Sequence, residues 1–386
     1  MFSSRFHWDT QTNRLTQALE AKRAAGASVL DLTESNPTHA GLHYPDEIVQ
    51  CFANPAMMAY EPAPAGTPAA RGAVRKYYAE RGHDVPVERI LLTASTSEAY
   101  GYLFKLLCDP SDEILVPQPS YPLFEYLANM ESVKVRQYPL VYHGGWGIDL
   151  QALEGMVEDK TRAIVLVNPN NPTGSYVKRD ELHMMAALCM RRGIALISDE
   201  VFADYALTED RERVITLAGV EACLAFSMSG LSKVAGLPQM KLGWIVVNGP
   251  TELRAQAWDK LEWIADTYLS VGTPVQCAAA HLMKAGDEIQ RQIRHRSAEN
   301  LTFARMVLAG SAANILHVEG GWYITLQVPR TRSEEEWTLK LLEDANVLVQ
   351  PGYFYEFGSE AFLVVSLLTA PEIFREGLGR LLRLVG

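Results

Sequence analysis

The central part of the chain alternates short apolar runs with longer segments of helical periodicity. Helical segments such as 179–191, which Gly193 terminates, lie between most of the runs. Apolar runs without polar alternation are typical of strands buried on both faces of a parallel sheet. The pattern predicts an α/β fold with a mainly parallel, seven-stranded sheet covered by helices. The seven predicted strands are 90–93, 114–116, 133–138, 163–167, 195–198, 223–226 and 244–247.

The pattern changes on both sides of this region. A helical stretch at 12–25 ends at Gly26, and a segment rich in Pro and Ala follows it. After about residue 274, a long helical stretch precedes a strand, a helix, two short strands and a terminal helix. We predict three units: an N-terminal arm and helix over 1–45, a large domain over 46–274, and a small α+β domain over 275–386. The arm is expected to pack with the small domain.

Charge and composition narrow the class of protein. The 46 acidic residues outnumber the 35 basic ones, which gives a net charge of -11 and argues against a nucleic-acid-binding surface. No apolar run has the length of a membrane span, and the N-terminus lacks the apolar core of a signal peptide. The five cysteines are scattered and form no C-x-x-C pair. These features predict a cytoplasmic protein that binds neither nucleic acid nor membrane.

One lysine lies in a segment that is poorly suited to core packing. The segment Ser227-Met-Ser-Gly-Leu-Ser-Lys-Val-Ala-Gly-Leu-Pro238 follows a predicted strand and places Lys233 among serines and glycines. An amine there can join an aldehyde cofactor, exchange with an incoming amino group, and then act as a base toward the substrate. The alternative is a solvated surface lysine, which is the usual fate of this residue type.

Three further polar segments also follow predicted strands, where open α/β sheets bind ligands. Asp199 can pair with a protonated ring nitrogen, although Asp199-Glu200 could instead cap a helix. Asn171 lies in Asn-Asn-Pro-Thr-Gly, a sequence that also forms ordinary turns. The turn 93–99 carries hydroxyls and free N–H groups that can bind an anion or simply cap the next helix.

The order and spacing of 168–174, 198–202 and 227–238 resemble the active site of the class I/II aminotransferases. These are fold type I enzymes that use pyridoxal phosphate, and the resemblance spans nearly the whole chain. It implies a Schiff base on Lys233, with Asp199 as the partner of the pyridine nitrogen. It also implies exchange of an amino group between an amino donor and a 2-oxo acid.

The resemblance implies roles for other residues as well. Tyr121 would stack on the cofactor ring, and Tyr60 would reach the phosphate of a neighbouring subunit, which implies a homodimer with composite sites. Core or interface packing is the alternative for both tyrosines. The remaining implied contacts are Ser95, Thr96, Ser97, Ser232 and Lys241 with the phosphate, Asn171 and Phe202 with the ring, and Asn36, Asn171 and Trp322 with the substrate.

Three departures from the family pattern affect the chemistry. Lys241 stands where most relatives have an arginine, and Phe202 replaces a tyrosine that contacts the ring oxygen. In Phe362-Leu-Val-Val-Ser366, Val364 occupies the place of the arginine that binds the substrate α-carboxylate. Either another group binds the carboxylate, or the reacting end of the substrate differs from that of an ordinary α-amino acid.

Two alternative functions remain open from the sequence. A pyridoxal phosphate-dependent lyase or decarboxylase could use the same scaffold, because function resides in the site and not in the fold. The second alternative is a non-enzymatic ligand-binding or regulatory module. The retention of Lys233 argues against that alternative.

Overall fold

The computed structural model of the chain describes residues 2–6, 8 and 11–386. The strands are β1 (Leu30–Asp31), β2 (Ile90–Thr93), β3 (Glu113–Gln118), β4 (Lys134–Tyr142), β5 (Trp146–Ile148), β6 (Thr161–Val167), β7 (Ala195–Asp199), β8 (Ala225–Gly230), β9 (Gly243–Asn248), β10 (Asn314–Ile315), β11 (Tyr323–Gln327), β12 (Val347–Leu348), β13 (Gln350–Pro351) and β14 (Phe362–Ser366). The helices are α1 (Arg14–Ala24), α2 (Glu47–Gln50), α3 (Pro68–Ala79), α4 (Thr96–Leu107), α5 (Phe124–Met130), α6 (Leu150–Met156), α7 (Arg179–Arg192), α8 (Leu231–Val234), α9 (Thr251–Tyr268), α10 (Thr273–Leu308), α11 (Glu334–Ala345) and α12 (Pro371–Val385).

The large sheet has the strand order β2-β9-β8-β7-β6-β3-β4-β5. Strands β4, β3, β6, β7 and β8 are parallel, and β9 runs antiparallel between β8 and β2. All seven predicted strands are present, and the α/β fold is confirmed. An eighth strand, β5, pairs antiparallel with the end of β4. Its three residues are too few to show a periodic pattern in the sequence.

The apolar runs are continuous because helices cover both faces of the sheet. Along β6, Ile164 and Leu166 belong to a core cluster with α6 and α7, whereas Val165 packs in a cluster with α4, α5 and α9. Successive strand residues point to opposite faces, so both sets of side chains are buried. A further cluster joins one side of the sheet to α3 and α10.

The C-terminal part has its own antiparallel sheet, with the order β10-β11-β14-β13. Strand β1 pairs in parallel with β12, and α1 packs on α11, so the N-terminal segment contacts this part. The one strand predicted at 347–350 is instead two short strands in different sheets, β12 and β13. Helix α10 contributes to the cores of both parts, and the domain limits stay a prediction.

Candidate active site

The register of the large sheet brings the polar segments to one edge. Gly243, at the start of β9, pairs with Thr93 at the end of β2 and with Gly230 at the end of β8. In the next strands, Asp199 at the end of β7 pairs with Met228 of β8. Segments that are far apart in sequence therefore end side by side, as expected for the ligand-binding edge of an open α/β sheet.

Lys233 follows β8 on the short helix α8 and is largely buried. Its Nζ lies 4.8 Å from the ring centroid of Trp322 and 5.7 Å from that of Phe202. Burial lowers the pKa of the ammonium from 10.5 to about 8, and the nearby Asp199 carboxylate partly opposes this effect. A substantial neutral fraction near physiological pH is a property of nucleophilic and basic lysines.

Asp199 is the matching anion. Its carboxylate accepts hydrogen bonds from the Tyr100 hydroxyl at 3.2 Å and from the Val201 N–H at 3.2 Å. Burial raises the pKa of Asp199 to about 6, although both hydrogen bonds and Lys233 lower it. A carboxylate with a raised pKa and a lysine with a lowered pKa, close to each other, mark a candidate functional site. The alternative of a helix cap does not hold, because no helix begins at this residue.

Tyr100 is a contributor that the sequence interpretation missed. It lies on the buried face of α4, among Ala99 and Leu103, and its hydroxyl bonds to Asp199. A buried tyrosine hydroxyl requires a polar partner. The available signal was therefore a tyrosine hydroxyl on the buried face of the helix.

Asn171 and Phe202 also lie in the buried part of the site. Among the described residues, the Asn171 side-chain oxygen has no hydrogen-bond partner. Phe202 packs edge-to-face on Trp322, with ring centroids 5.2 Å apart. Tyr205 does not replace the missing tyrosine hydroxyl, because its own hydroxyl is bound to the carbonyl of Lys233.

The turn before α4 forms the proposed anion site. Ser95 is the N-cap, and its side chain accepts from the Glu98 N–H, so the alternative of helix capping is realised for this residue. Thr96 and Ser97 follow in the first turn of the helix, where N–H groups lack intrahelical partners. Lys241 is exposed. It lies two residues before Gly243, which pairs with Thr93 at the beginning of this turn.

Aromatic residues form the wall on the side of the small sheet. Trp322 is fully buried, and its indole N–H has no partner within the described part of the chain. Tyr121 is 45% exposed. Partial burial raises the pKa of its phenol, and the charge of the nearby Asp199 carboxylate raises this pKa further. Val364 is fully buried in β14 and belongs to the same core cluster as Phe202 and Trp322.

Three predicted site residues are placed less directly. Tyr60 is 77% exposed and lines a cleft with Tyr102 and Leu269, and Lys233 does not line this cleft. The Asn36 side-chain oxygen accepts from the N–H and hydroxyl of Thr38 and is therefore occupied locally. Ser232 is partly exposed, next to Lys233.

Two observations test whether these residues fit pyridoxal phosphate. The Asn171 oxygen and the Trp322 N–H are buried groups without partners, and buried polar groups normally have them. In addition, the Lys233 ammonium makes no hydrogen bond or ion pair with any described residue. An aromatic ligand that carries an anionic group and both hydrogen-bond donors and acceptors fits this set of residues and the turn before α4.

The chain belongs to a family of known enzymes. The model of the family "Aminotransferase class I and II" matches residues 27–378, and the chain is a member of that family. Enzymes of this family use pyridoxal phosphate. The resemblance inferred from the three motifs is therefore confirmed.

Two curated relatives illustrate the relationship. The glutamate–pyruvate aminotransferase AlaA of Escherichia coli (strain K12) is 32% identical over 264 residues, which cover 67% of this chain and 65% of the relative. The chain thus matches slightly less than two thirds of that relative's length. The tyrosine aminotransferase of Bos taurus is 26% identical over 315 residues, or 78% of this chain and 69% of the relative. Both relatives are named as aminotransferases.

Solved structures support the fold. An alanine aminotransferase from Pyrococcus furiosus superposes with a TM-score of 0.88 at 24% identity, covering 100% of this chain and 99% of that one. An aspartate aminotransferase from Thermotoga maritima gives a TM-score of 0.83 at 22% identity, covering 99% of both chains. At this identity, the likeness shows the fold and not the substrate.

Proposed function

We propose that this chain is a pyridoxal phosphate-dependent aminotransferase that moves an amino group from an amino donor to a 2-oxo acid. One observation carries the proposal: a largely buried lysine with a pKa of about 8 lies at the same sheet edge as a buried carboxylate with a pKa of about 6. When bound, pyridoxal phosphate supplies a reactive aldehyde carbon and a ring that withdraws electrons. The protein supplies position, charge and proton transfer.

Lys233 has the central role in this proposal. Burial keeps part of its amine neutral near physiological pH, so the amine can form a covalent bond with a carbonyl carbon. The same amine, once free, can accept the proton from the reacting carbon of the substrate. Asp199 provides a negative charge where a protonated ring nitrogen would lie, and its hydrogen bonds from Tyr100 and Val201 orient it.

The other predicted residues hold and orient the cofactor and substrate. The turn of Ser95, Thr96 and Ser97 binds the phosphate with the positive end of α4, and Ser232 and Lys241 add a hydroxyl and a charge. Tyr121 would stack on the ring, Phe202 would pack near it, and the unpaired side-chain oxygen of Asn171 would accept a hydrogen bond from the ring hydroxyl. Trp322, whose ring centroid lies 4.8 Å from the Lys233 Nζ, would contact the substrate, and Asn36 is proposed for the same role.

We also propose that the active enzyme is a homodimer in the cytoplasm. Tyr60 is highly exposed, and Met58 beside it is 90% exposed, which is unfavourable for an isolated subunit. A second subunit that covers this segment would bury both side chains and bring Tyr60 to the neighbouring phosphate. We further propose the domain limits at 45/46 and 274/275.

The absorbance spectrum of the purified, cofactor-loaded protein tests the proposal. Amino donors are titrated without oxo acid, and we expect at least one to convert bound pyridoxal phosphate to the pyridoxamine form, with reversal by a 2-oxo acid. The Lys233→Ala variant should lose this conversion, whereas Lys260→Ala, at an exposed position of α9, should retain it. Release of ammonia or carbon dioxide without the pyridoxamine form would instead establish a lyase or decarboxylase.

A further inference from the structure

The wall of the site formed by β11 and β14 carries no positive charge. Val364 lies in the middle of β14 and pairs with Thr325 of β11. On this face of the small sheet, Val364 packs in one cluster with Tyr323 and Trp322, whereas Leu363 packs in the separate core of the small sheet. The Thr325 hydroxyl is buried and has no partner among the described residues. This part of the wall therefore offers apolar surface and neutral hydrogen-bonding groups.

Besides the Lys233 ammonium, two carboxylates act on this wall. Burial raises the pKa of the Tyr323 phenol to about 12, and the fields of Tyr121 and Glu34 add to this increase. Glu34 follows β1 in the N-terminal arm, and 31% of its side chain is exposed. The pKa of the Tyr121 phenol is raised by burial and then by the charge of the Asp199 carboxylate. Both carboxylates oppose the binding of another anion at this wall.

Two arginines on the neighbouring helices α10 and α12 are engaged elsewhere. Arg375, the first arginine after β14, lies on α12 and forms an ion pair with Glu299 at 2.6 Å. Arg296 of α10 donates to the carbonyl of Ala40. Lys233 lies within the site, but its amine is required for the reaction proposed above, and the charge of Lys241 is assigned to the phosphate.

A carboxylate on the reacting carbon would therefore lose water without gaining a charged partner from the described residues of its own subunit. Desolvation of an ionised carboxylate is costly unless a cation or several donors compensate for it. A neutral substituent at the same place loses little, because an apolar side chain and aromatic rings surround it. The wall thus distinguishes an α-amino acid from the corresponding amine by charge.

We propose, on the basis of the proposed aminotransferase function, that Val364 is a specificity-determining residue and that the preferred amino donor is a primary amine without a carboxylate on the reacting carbon. In this reaction the amine carbon is oxidised to a carbonyl, and the acceptor's carbonyl carbon is reduced to an amine, so no other oxidant is needed. A 2-oxo acid meets the same wall in the second half-reaction. It should therefore bind more weakly than an aldehyde acceptor of the same size.

Matched donor pairs test the inference in the cofactor-loaded wild-type enzyme. The pairs are phenylalanine with phenethylamine, valine with isobutylamine, and lysine with cadaverine, and the readout is the rate of conversion to the pyridoxamine form. We expect kcat/KM to favour the amine about tenfold or more, which is the factor that one charge-assisted hydrogen bond contributes. Faster reaction of the amino acid in the pairs would overturn the inference. If neither member of any pair converts the cofactor, the proposed function itself fails.

Variants and a binding measurement separate charge from other causes. Val364→Arg should reverse the preference, whereas Val364→Leu, the uncharged control, should retain it. Calorimetry should show weak binding of phenylpropanoate to the wild type and tighter binding to Val364→Arg. Because Val364 is fully buried, Glu34→Gln provides a second test at a partly exposed position, and it should improve KM for the amino acids. A folded, cofactor-loaded Val364→Arg enzyme with an unchanged preference would refute the role of this residue.

Discussion

Asp199→Asn should make the cofactor-free protein more stable while it impairs the enzyme. The carboxylate is largely buried, and its pKa is raised from 3.8 to about 6. Asparagine has the same shape, and its oxygen can still accept the hydrogen bond from Tyr100 or Val201. The substitution therefore removes the buried charge with little change in packing.

The magnitude and the sign follow from this pKa. The rise of the pKa from 3.8 to about 6 corresponds to a loss of about 3 kcal/mol in the free energy of unfolding when Asp199 is ionised, at about 1.4 kcal/mol for each pKa unit. Below the unfolded pKa of 3.8, both states are protonated and Asp199 costs nothing. Between 3.8 and about 6, the unfolded state loses its proton first, so the stability of the folded state falls as pH rises. Above about 6 the cost is constant, and the variant should be more stable by up to about 3 kcal/mol.

Urea denaturation of the cofactor-free wild type and variant, at pH values from 4.5 to 8, measures this difference. We expect it to grow through the lower half of this range and then to level off. In the cofactor-loaded enzyme, the variant should lose most of its transamination rate, because the ring nitrogen loses its anionic partner. A variant that is less stable at pH 8, or a difference that does not depend on pH, would refute the assignment of a buried, ionised Asp199.

Three further substitutions test separate parts of the structure. Tyr100→Phe removes a donor to the Asp199 carboxylate, so the pKa of Asp199 in the folded state should rise by about one unit. In the same denaturation series, the fall of stability with pH should then extend to a correspondingly higher pH. Gly243→Ala places a Cβ 3.1 Å from the Ser95 carbonyl carbon, and dialysis should show weaker retention of the cofactor with a normal circular dichroism spectrum. Gly286→Ala places a Cβ 2.3 Å from that of Ala235 and should cost about 1–3 kcal/mol in urea denaturation, whereas Gly155→Ala, in open space on α6, should be neutral or stabilising.

The sequence could predict the sheet and the residues that follow its strands. Both rest on local patterns: continuous apolar runs mark the strands, and polar residues such as Asp199 and Lys233 stand directly after them. The family resemblance then supplied the roles of the residues around the site. Asn171 was found in the same way, and its unpaired oxygen is consistent with an interaction outside the chain.

The remaining features depend on contacts between distant segments. The hydrogen bond from Tyr100 to Asp199 joins residues that are 99 positions apart, and no local pattern encodes it. Strand β5 is defined by its pairing with β4, because three residues carry no periodicity of their own. The local turn of Asn36 with Thr38 competes with a role in binding, and residue type alone cannot decide between the two.

The energetics of the site support its assignment to a ligand and not to stability. A neutral pair of residues in place of Lys233 and Asp199 would avoid the cost of burial that both displaced pKa values report. The Trp322 N–H and the Asn171 oxygen add buried groups without partners within the described part of the chain. Hydrophobic packing on both faces of the sheet outweighs these costs but gives no reason for them. A bound cofactor that interacts with the amine, the carboxylate and the amide would offset them together, because binding to the folded state alone stabilises that state.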